Sequence, residues 1–512
     1  MRLDDLLRSI DVSIADNQPK SDWRKRMDTR EENWEAFRSK LFEEVVMYSS
    51  MPADSACFMC GDESPQIRCH QCGASQYMCN ICDVVAHKHQ PLHDREVWYD
   101  GILSTQRVCI PFSIPWRCPL CSIGTVTVCP RESKRIVVNL RGRYDLNDVL
   151  PICDNCGQEI HLETPHDVIR EQYWPGNPAR KSAHIFDTDL FLFYDLLKKH
   201  NPGLSEVGFL RTLEQFSLSK GRVGSLNPAT FGKAFREWRY SKFSIGELKH
   251  SPLFDCPCCT PEQHSVHFDG NKKLYRYSKV PRGSNTQYYD GFIVQNEEVD
   301  THIDVLGYFG EKTIESSGLC GTTRWKAAKA ISKTMANLDE TGLEVAGCRH
   351  ALALKALNMF RGEIFGYPHY LHTKYFSKAK CVWADVMCQY WPWAKSKVNS
   401  CPETKDAMSS QPCLSVMHAK AHSWHCQVLW GGRWQPNSAA GAGEEMEQLF
   451  SYLSRFNLTT KYMNAAGREE QLTEAAMFWN DRKISSLPSY LKCRLNKTRR
   501  DLGELKKELL LL

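Results

Sequence analysis

No run of about 18 uninterrupted apolar residues, the length that spans a bilayer as a helix, occurs in the 512-residue chain. The opening MRLDDLLRSI is charged and has neither an apolar signal core nor a cleavage site, so the chain is expected to stay in a reducing compartment. A strong excess of one charge is lacking too: 65 Lys and Arg stand against 60 Asp and Glu, a formal +5. A polyanion would therefore be met by local patches rather than by the overall field. His418 and His422 have the spacing of a zinc protease, but Ala419, Lys420 and Ala421 between them supply no glutamate as base, which excludes that kind of proteolysis. No RING-like cysteine set precedes Cys57, so a ubiquitin ligase finds no support.

What is present is ordinary globular material, 42% hydrophobic and 24% charged with 14 tryptophans, enough for two to four domains. The 23 cysteines recur as CxxC pairs, and in a reducing compartment such pairs mean zinc more often than disulfide. Residues 55–98 hold Cys57, Cys60, Cys69, Cys72, Cys79 and Cys82, followed by His87, His89 and His93. That is enough for two tetrahedral sites in a segment too short to build an apolar core. Interleaving assigns Cys57, Cys60, Cys79 and Cys82 to one ion and Cys69, Cys72, His87 and His93 to the other, with His89 competing with either histidine. The spacing resembles a B-box cross-brace, a module that contacts proteins. Over 105–165, Cys118 and Cys121, then Cys153 and Cys156, flank the β-rich TVTVC and RIVVNL, the pattern of a zinc ribbon. Cys109, Cys129 and His161 are left as core or auxiliary ligands.

Residues 1–50 read as helix, with Trp23, Trp34, Phe37, Leu41 and Val45 as a loose stripe. Residues 166–250 read as a helical linker. Asn227 and Pro228 there supply an N-cap and a first helical residue. Lys233, Arg236, Arg239 and Lys242 interleave with Phe231, Phe235 and Trp238. The pattern suits either a DNA-contacting face or a buried aromatic stripe with its charges in water.

From 254 to 490 the chain carries its carboxylate motifs. Cys256 and Cys259 form a further CxxC pair; SVHF reads as a strand, and DGN as a turn that places Asp269 at a hairpin tip. Asp385 closes the apolar run KCVWADVMC, and Glu444 opens a helix whose Met446, Leu449, Phe450 and Leu453 recur at helical spacing. Three such carboxylates can hold two divalent cations for phosphoryl chemistry. An amphipathic helix is expected over 324–338. His418, His422 and Cys426 fall at four-residue intervals, one face of a helix, and either pack or join Cys348 or His350 of GCRH around a structural zinc. The leucines of 491–512, from Leu491 to Leu512, with basic residues between them, form a short amphipathic helix that either pairs with a second copy or docks on its own domain.

The ordered set CPCC, DGN, GCRH, ADVMC, HAKAH with Cys426, and GAGEEMEQ resembles the Kyakuja-Dileera-Zisupton (KDZ) family of DNA transposases, over roughly 105–490 with RGRYDL at Arg141–Leu146. The chain departs from the family at Lys272 after DGN, at Ala384 before the second aspartate, and in Ala442–Glu445 where an Asp-Gly-Glu-Gly run is usual. The resemblance implies an α/β ribonuclease H-like DDE domain behind small zinc modules and helical additions. It implies Mg²⁺ or Mn²⁺ on Asp269, Asp385 and Glu444, with Glu447 the alternative third carboxylate. It also implies phosphodiester hydrolysis and strand transfer on DNA, in the nucleus. The competing reading is a domesticated or decayed transposon protein that binds DNA or proteins and no longer cuts.

Overall fold

The computed structural model describes residues 22–48; 55–99 apart from 63, 74–75, 88–89 and 91; 102–105; 117–160; 165–178; 183–248; 253–259; 262–280; 289 and 291–307; and 337–510 apart from 439–440 and 442. His89, Cys109, His161, Leu512 and most of the helix expected over 324–338 lie outside the described residues. Two compact units emerge, Met1–Asp187 with Thr212–Leu226 and Thr188–Arg211 with Asn227–Leu512. The linker expected over 166–250 is thus shared between them.

The first unit begins with the helix Asp22–Tyr48, which buries none of its residues; the stripe of Trp23, Trp34 and Phe37 is exposed. Strands β1 (Ile67–Cys69), β2 (Tyr77–Met78), β3 (Arg95–Tyr99) and β4 (Ile102–Thr105) pair in the order β2-β1-β3-β4. Cysteines make up much of the small interior here: Cys57, Cys69 and Cys79 are buried with Met78. Next comes a long hairpin of β5 (Val126–Asn139) and β6 (Gly142–Cys153), extended by β7 (Tyr173–Pro175) and β8 (His184–Asp187) in the order β6-β5-β8-β7. The pairing of Val126 with Cys153 brings the two ends of the hairpin, each carrying a CxxC knuckle, side by side.

In the second unit the helix Thr188–His200 packs on Pro228–Leu248 through Phe191, Tyr194, Phe231, Phe235 and Trp238. Asn227 caps the latter helix by accepting from the Thr230 amide at 3.2 Å. The aromatic stripe is core, and the interleaved charges follow from that. Arg236 donates to Glu470 at 2.8 Å. Arg239, 11% exposed, sits 3.3 Å from Glu474. Lys233 pairs with Glu237 at 2.7 Å, and Lys242 lies 4.7 Å over the Trp238 ring. Of the four basic residues expected on a DNA-contacting face, Arg236 and Arg239 pair with glutamates of the chain's own terminal helix, whereas Lys233 and Lys242 are exposed.

The centre of the unit is a mixed sheet of β9 (Ser265–Asn271), β10 (Gly342–Cys348), β11 (Ala353–Met359), β12 (Cys381–Ala384) and β13 (Gln411–Leu414), ordered β11-β10-β9-β12-β13. Strands β9, β10 and β11 are antiparallel to one another in turn, whereas β12 and β13 run parallel to β9. Every residue of β10 is buried, as a central strand covered on both faces requires. Val266, Phe268 and Leu354 pack on one side with the helices Gly366–Tyr375 and Met387–Ser396. Leu343, Val345 and Ala356 pack on the other with Glu445–Leu453 and the terminal helix.

The DGN triplet does not turn, a second correction. Strand β9 runs through it, with Asp269 opposite Val345 and Asn271 opposite Leu343. Gly270 serves close approach instead. A Cβ there would stand 2.9 Å from Glu363 Cγ and 3.0 Å from Glu344 Oε2.

The edges of the sheet are occupied. Asn480 accepts from the Ala353 amide and donates to the Ala353 carbonyl, both at 2.8 Å, and residues 292–294 exchange backbone hydrogen bonds with Ala356. At the far edge, Leu414 bridges Gly431. The segment expected as a separate helix from 491 is the tail of one helix, Ala465–Leu509. The first half of this helix is buried, whereas Leu495, Leu502, Leu505 and Leu509 are exposed.

Candidate active site

Strand β12 lies beside β9 in parallel, with Cys381 opposite Ser265 and Trp383 opposite His267. Two residues further along that register, Asp385 comes level with Asp269. Both line a cleft of about 1030 Å³ at this end of the sheet, together with Glu344, Glu363, Glu447 and His418. The carboxylates raise one another. Burial, then the charges of Asp385, Glu344, Glu447 and Glu363, holds Asp269 well above the usual carboxylate range. Glu344 is likewise held well above it, by burial, then Glu363 and Asp385. Glu363 is raised mainly by burial, with Lys272 pulling it back. Hydrogen bonds are few: Asp269 accepts from the Gly270 amide at 2.8 Å, and Asp385 accepts from Ser415 Oγ at 2.9 Å.

The third carboxylate is placed by the start of the helix Glu445–Leu453. Glu444 is the residue before its first turn and follows Gly443, whose φ is +77°. Its Oε1 accepts from the Met417 amide at 2.7 Å, so one oxygen is committed to backbone. Glu447, one turn on, lines the cleft and is 55% exposed; Glu444 is not among the lining residues. Glu445 points elsewhere, 3.1 Å from the buried His267. His418 joins the cluster: its Nδ1 is 2.9 Å from Asp385 and 3.7 Å from Glu444, and its Nε2 is 3.8 Å from Glu447. The Asp385 hydrogen bond raises its pKa against the burial that would lower it. The carboxylate cluster thus favours positive charge at this point. Hard oxygen donors crowded in this way suit Mg²⁺ or Mn²⁺.

The single helix expected across His418, His422 and Cys426 is broken. His418 lies in Val416–Ala419, Cys426 in Trp424–Trp430, and His422 between them. His418 therefore turns to the carboxylates, while His422 and Cys426 gather with Cys388, a residue the sequence reading passed over because it has no CxxC partner. Cys348 and His350 instead join Cys256 and Cys259.

Zinc held at about 2.3 Å by sulfur and about 2.0–2.1 Å by nitrogen separates two sulfurs by about 3.8 Å, and a sulfur from a nitrogen by about 3.5 Å, along a tetrahedron's edges. The thiolate groups have these dimensions. Cys60 and Cys79 are 3.8 Å apart, Cys118 and Cys156 3.8 Å, and Cys121 and Cys153 3.6 Å. Cys69 is 3.5 Å from His93 Nδ1, and Cys72 is 3.4 Å from both His93 and His87. Cys256 and Cys259 are each 3.3 Å from His350 Nδ1. The two interleaved sets, Cys57, Cys60, Cys79 and Cys82, and Cys69, Cys72, His87 and His93, gather separately, as does the ribbon set of Cys118, Cys121, Cys153 and Cys156. Every described cysteine is free of disulfide. The residues fit structural zinc.

Thiolate clusters sized for zinc, ahead of a mixed sheet whose neighbouring strand ends present carboxylates to one cleft, define a zinc-module protein with an acidic α/β domain. Residues 262–480 match the model of the Kyakuja-Dileera-Zisupton transposase, and residues 107–220 that of the CxC3-like cysteine cluster associated with KDZ transposases. The chain thus carries a KDZ transposase domain with its accompanying cysteine cluster, as the sequence resemblance implies. No curated protein and no solved structure matches it. Among the described residues no helix is long and apolar enough to cross a membrane.

Proposed function

We propose that the protein is a DNA transposase with a ribonuclease H-like domain, cutting at element ends and joining the released 3′-hydroxyl to target DNA in the nucleus. The observation that carries the reading is the adjacency of Asp269 and Asp385 at the ends of neighbouring parallel strands, in a sheet whose first three strands are antiparallel and whose order, counted from the first strand of the domain, is 3-2-1-4-5. Asp269, Asp385 and Glu447 would hold the divalent cations, with Glu447 taking the place the sequence gives to Glu444 because it faces the cleft. When bound, two Mg²⁺ or Mn²⁺ ions neutralise phosphate charge and activate the attacking oxygen. The chain's own groups do the remaining work. Glu344, set against Gly270, adds a fourth carboxyl whose burial favours its neutral form. His418 positions Asp385, and the carboxylates around it favour its protonated form, with which a bound cation would compete. Lys272, Lys273 and Arg455 on the rim meet the phosphate backbone. Glu444 fixes the loop carrying His418 through the Met417 amide.

Purified full-length protein incubated with candidate element-end DNA and Mg²⁺ or Mn²⁺ is expected to nick it, and D269N to be inert. Binding without nicks in every metal would favour the domesticated, non-cutting reading.

A further inference from the structure

Beside the acidic cleft stands a cluster that the four thiolate sites above leave out. Cys388 is in the first turn of the helix that follows Asp385, His422 lies in the break after Val416–Ala419, and Cys426 is in the first turn of Trp424–Trp430. Cys388 Sγ is 3.4 Å from His422 Nδ1 across 34 residues of chain, the sulfur–nitrogen edge of a zinc tetrahedron. The ligand atoms of all three residues lie within 4.8 Å of one another. Cys426 is buried. The His422 ring also hydrogen-bonds the Asp385 backbone carbonyl, the outer-shell arrangement that fixes the tautomer and tilt of a metal-bound imidazole. Ser423 caps the helix carrying Cys426, so the two later ligands are held on a short rigid turn.

We propose that Cys388, His422 and Cys426 bind a zinc ion of their own, with water in the fourth position, and that this ion staples the helix after Asp385 to the segment bearing His418. The thiolates come from elements that no other described cysteine cluster joins, so the ion closes a loop of 34 residues that carries both Asp385's helix and its imidazole partner. Loss of the ion would free the His422 ring from its fixed tilt and loosen the Asp385 carbonyl. Asp385 would lose its position, not its chemistry. The binding of the ion stands independently of the proposed cleavage; its effect on Asp385 rests on that reading.

The test is zinc content of the full chain, purified under reducing conditions, by plasma mass spectrometry. C388A and C426A should each carry one zinc fewer than wild type, and the double variant should also lose only one. D385N should keep the full count, so a failure of the cleavage reading leaves this result untouched. If the variants do not fold, alkylation of zinc-loaded wild type gives the answer. Cys388, although only partly buried, should stay protected while the exposed Cys493 reacts, and should become reactive on zinc removal. Unchanged zinc counts in folded C388A and C426A, or Cys388 reacting as fast as Cys493, would overturn the proposal.

Discussion

Asp385 Oδ1 and His418 Nδ1 lie 2.9 Å apart, and the pair binds a proton where a divalent cation would bring its charge. The folded protein holds that proton above the ordinary histidine range, chiefly through Asp385. The stability it contributes is therefore fully present below about pH 6.5 and is lost as pH rises through the raised value. Mn²⁺ must displace the proton, so its apparent affinity should climb by up to about tenfold per pH unit across that window. H418A should flatten the slope in a calorimetric titration; an unchanged slope would detach His418 from the cation site.

The two glutamates at the helix start should separate kinetically. E447Q removes a ligand charge from the cleft and should lower strand cleavage by more than about 100-fold with DNA binding kept. E444Q, which disturbs only the support of His418, should cost about 10-fold to 100-fold. The reverse order in a cleavage assay would return the third place to Glu444.

Burial, then the charges of Glu363 and Asp385, holds the Glu344 carboxyl well above the usual carboxylate range. A carboxyl whose folded pKa is raised binds more protons folded than unfolded, so stability falls as pH rises from about 4.3 through the raised value, at about 1.4 kcal/mol per pH unit. E344Q should therefore melt higher than wild type near neutral pH without divalent cation, and the gap should close at acid pH. Equal melting temperatures at both pH values would mean that the buried charge is already compensated.

Chelation should release at least three zinc ions from residues 57–160, one for each of the three clusters there. It should also unfold the small sheets that rely on them, since the metal replaces the core they lack. Circular dichroism and metal analysis would show it; retained structure after complete zinc loss would refute it.

Much of this site could be read before the fold was known, for a local reason. CxxC pairs place two thiolates on one turn, so Cys57–Cys60 and Cys118–Cys121 reveal themselves by spacing, and interleaving follows from their order. Asp385 at the end of an apolar run marks a strand end in the same way. What stayed hidden depends on distant partners. Glu344 is one acidic residue inside LEVAGC, and only the pairing of β10 with β9 sets it against Gly270. Cys388 has no neighbour in sequence. His418 reads with His422 because four-residue spacing implies a helix, and the break between Ala419 and Trp424 sends the two rings to different sites. Gly270 reads as a turn residue because glycine has two uses, and here space decides over φ.

Asn480 has a consequence beyond its two hydrogen bonds to Ala353. An amide side chain that offers both an acceptor and a donor to one residue imitates a neighbouring strand at the start of β11, beyond the reach of the backbone bonds that residues 292–294 make with Ala356. Open strand edges are templates on which a second chain can zip itself into a growing fibril. One side chain of the terminal helix thus stands in for a strand where the edge at Ala353 would otherwise be open.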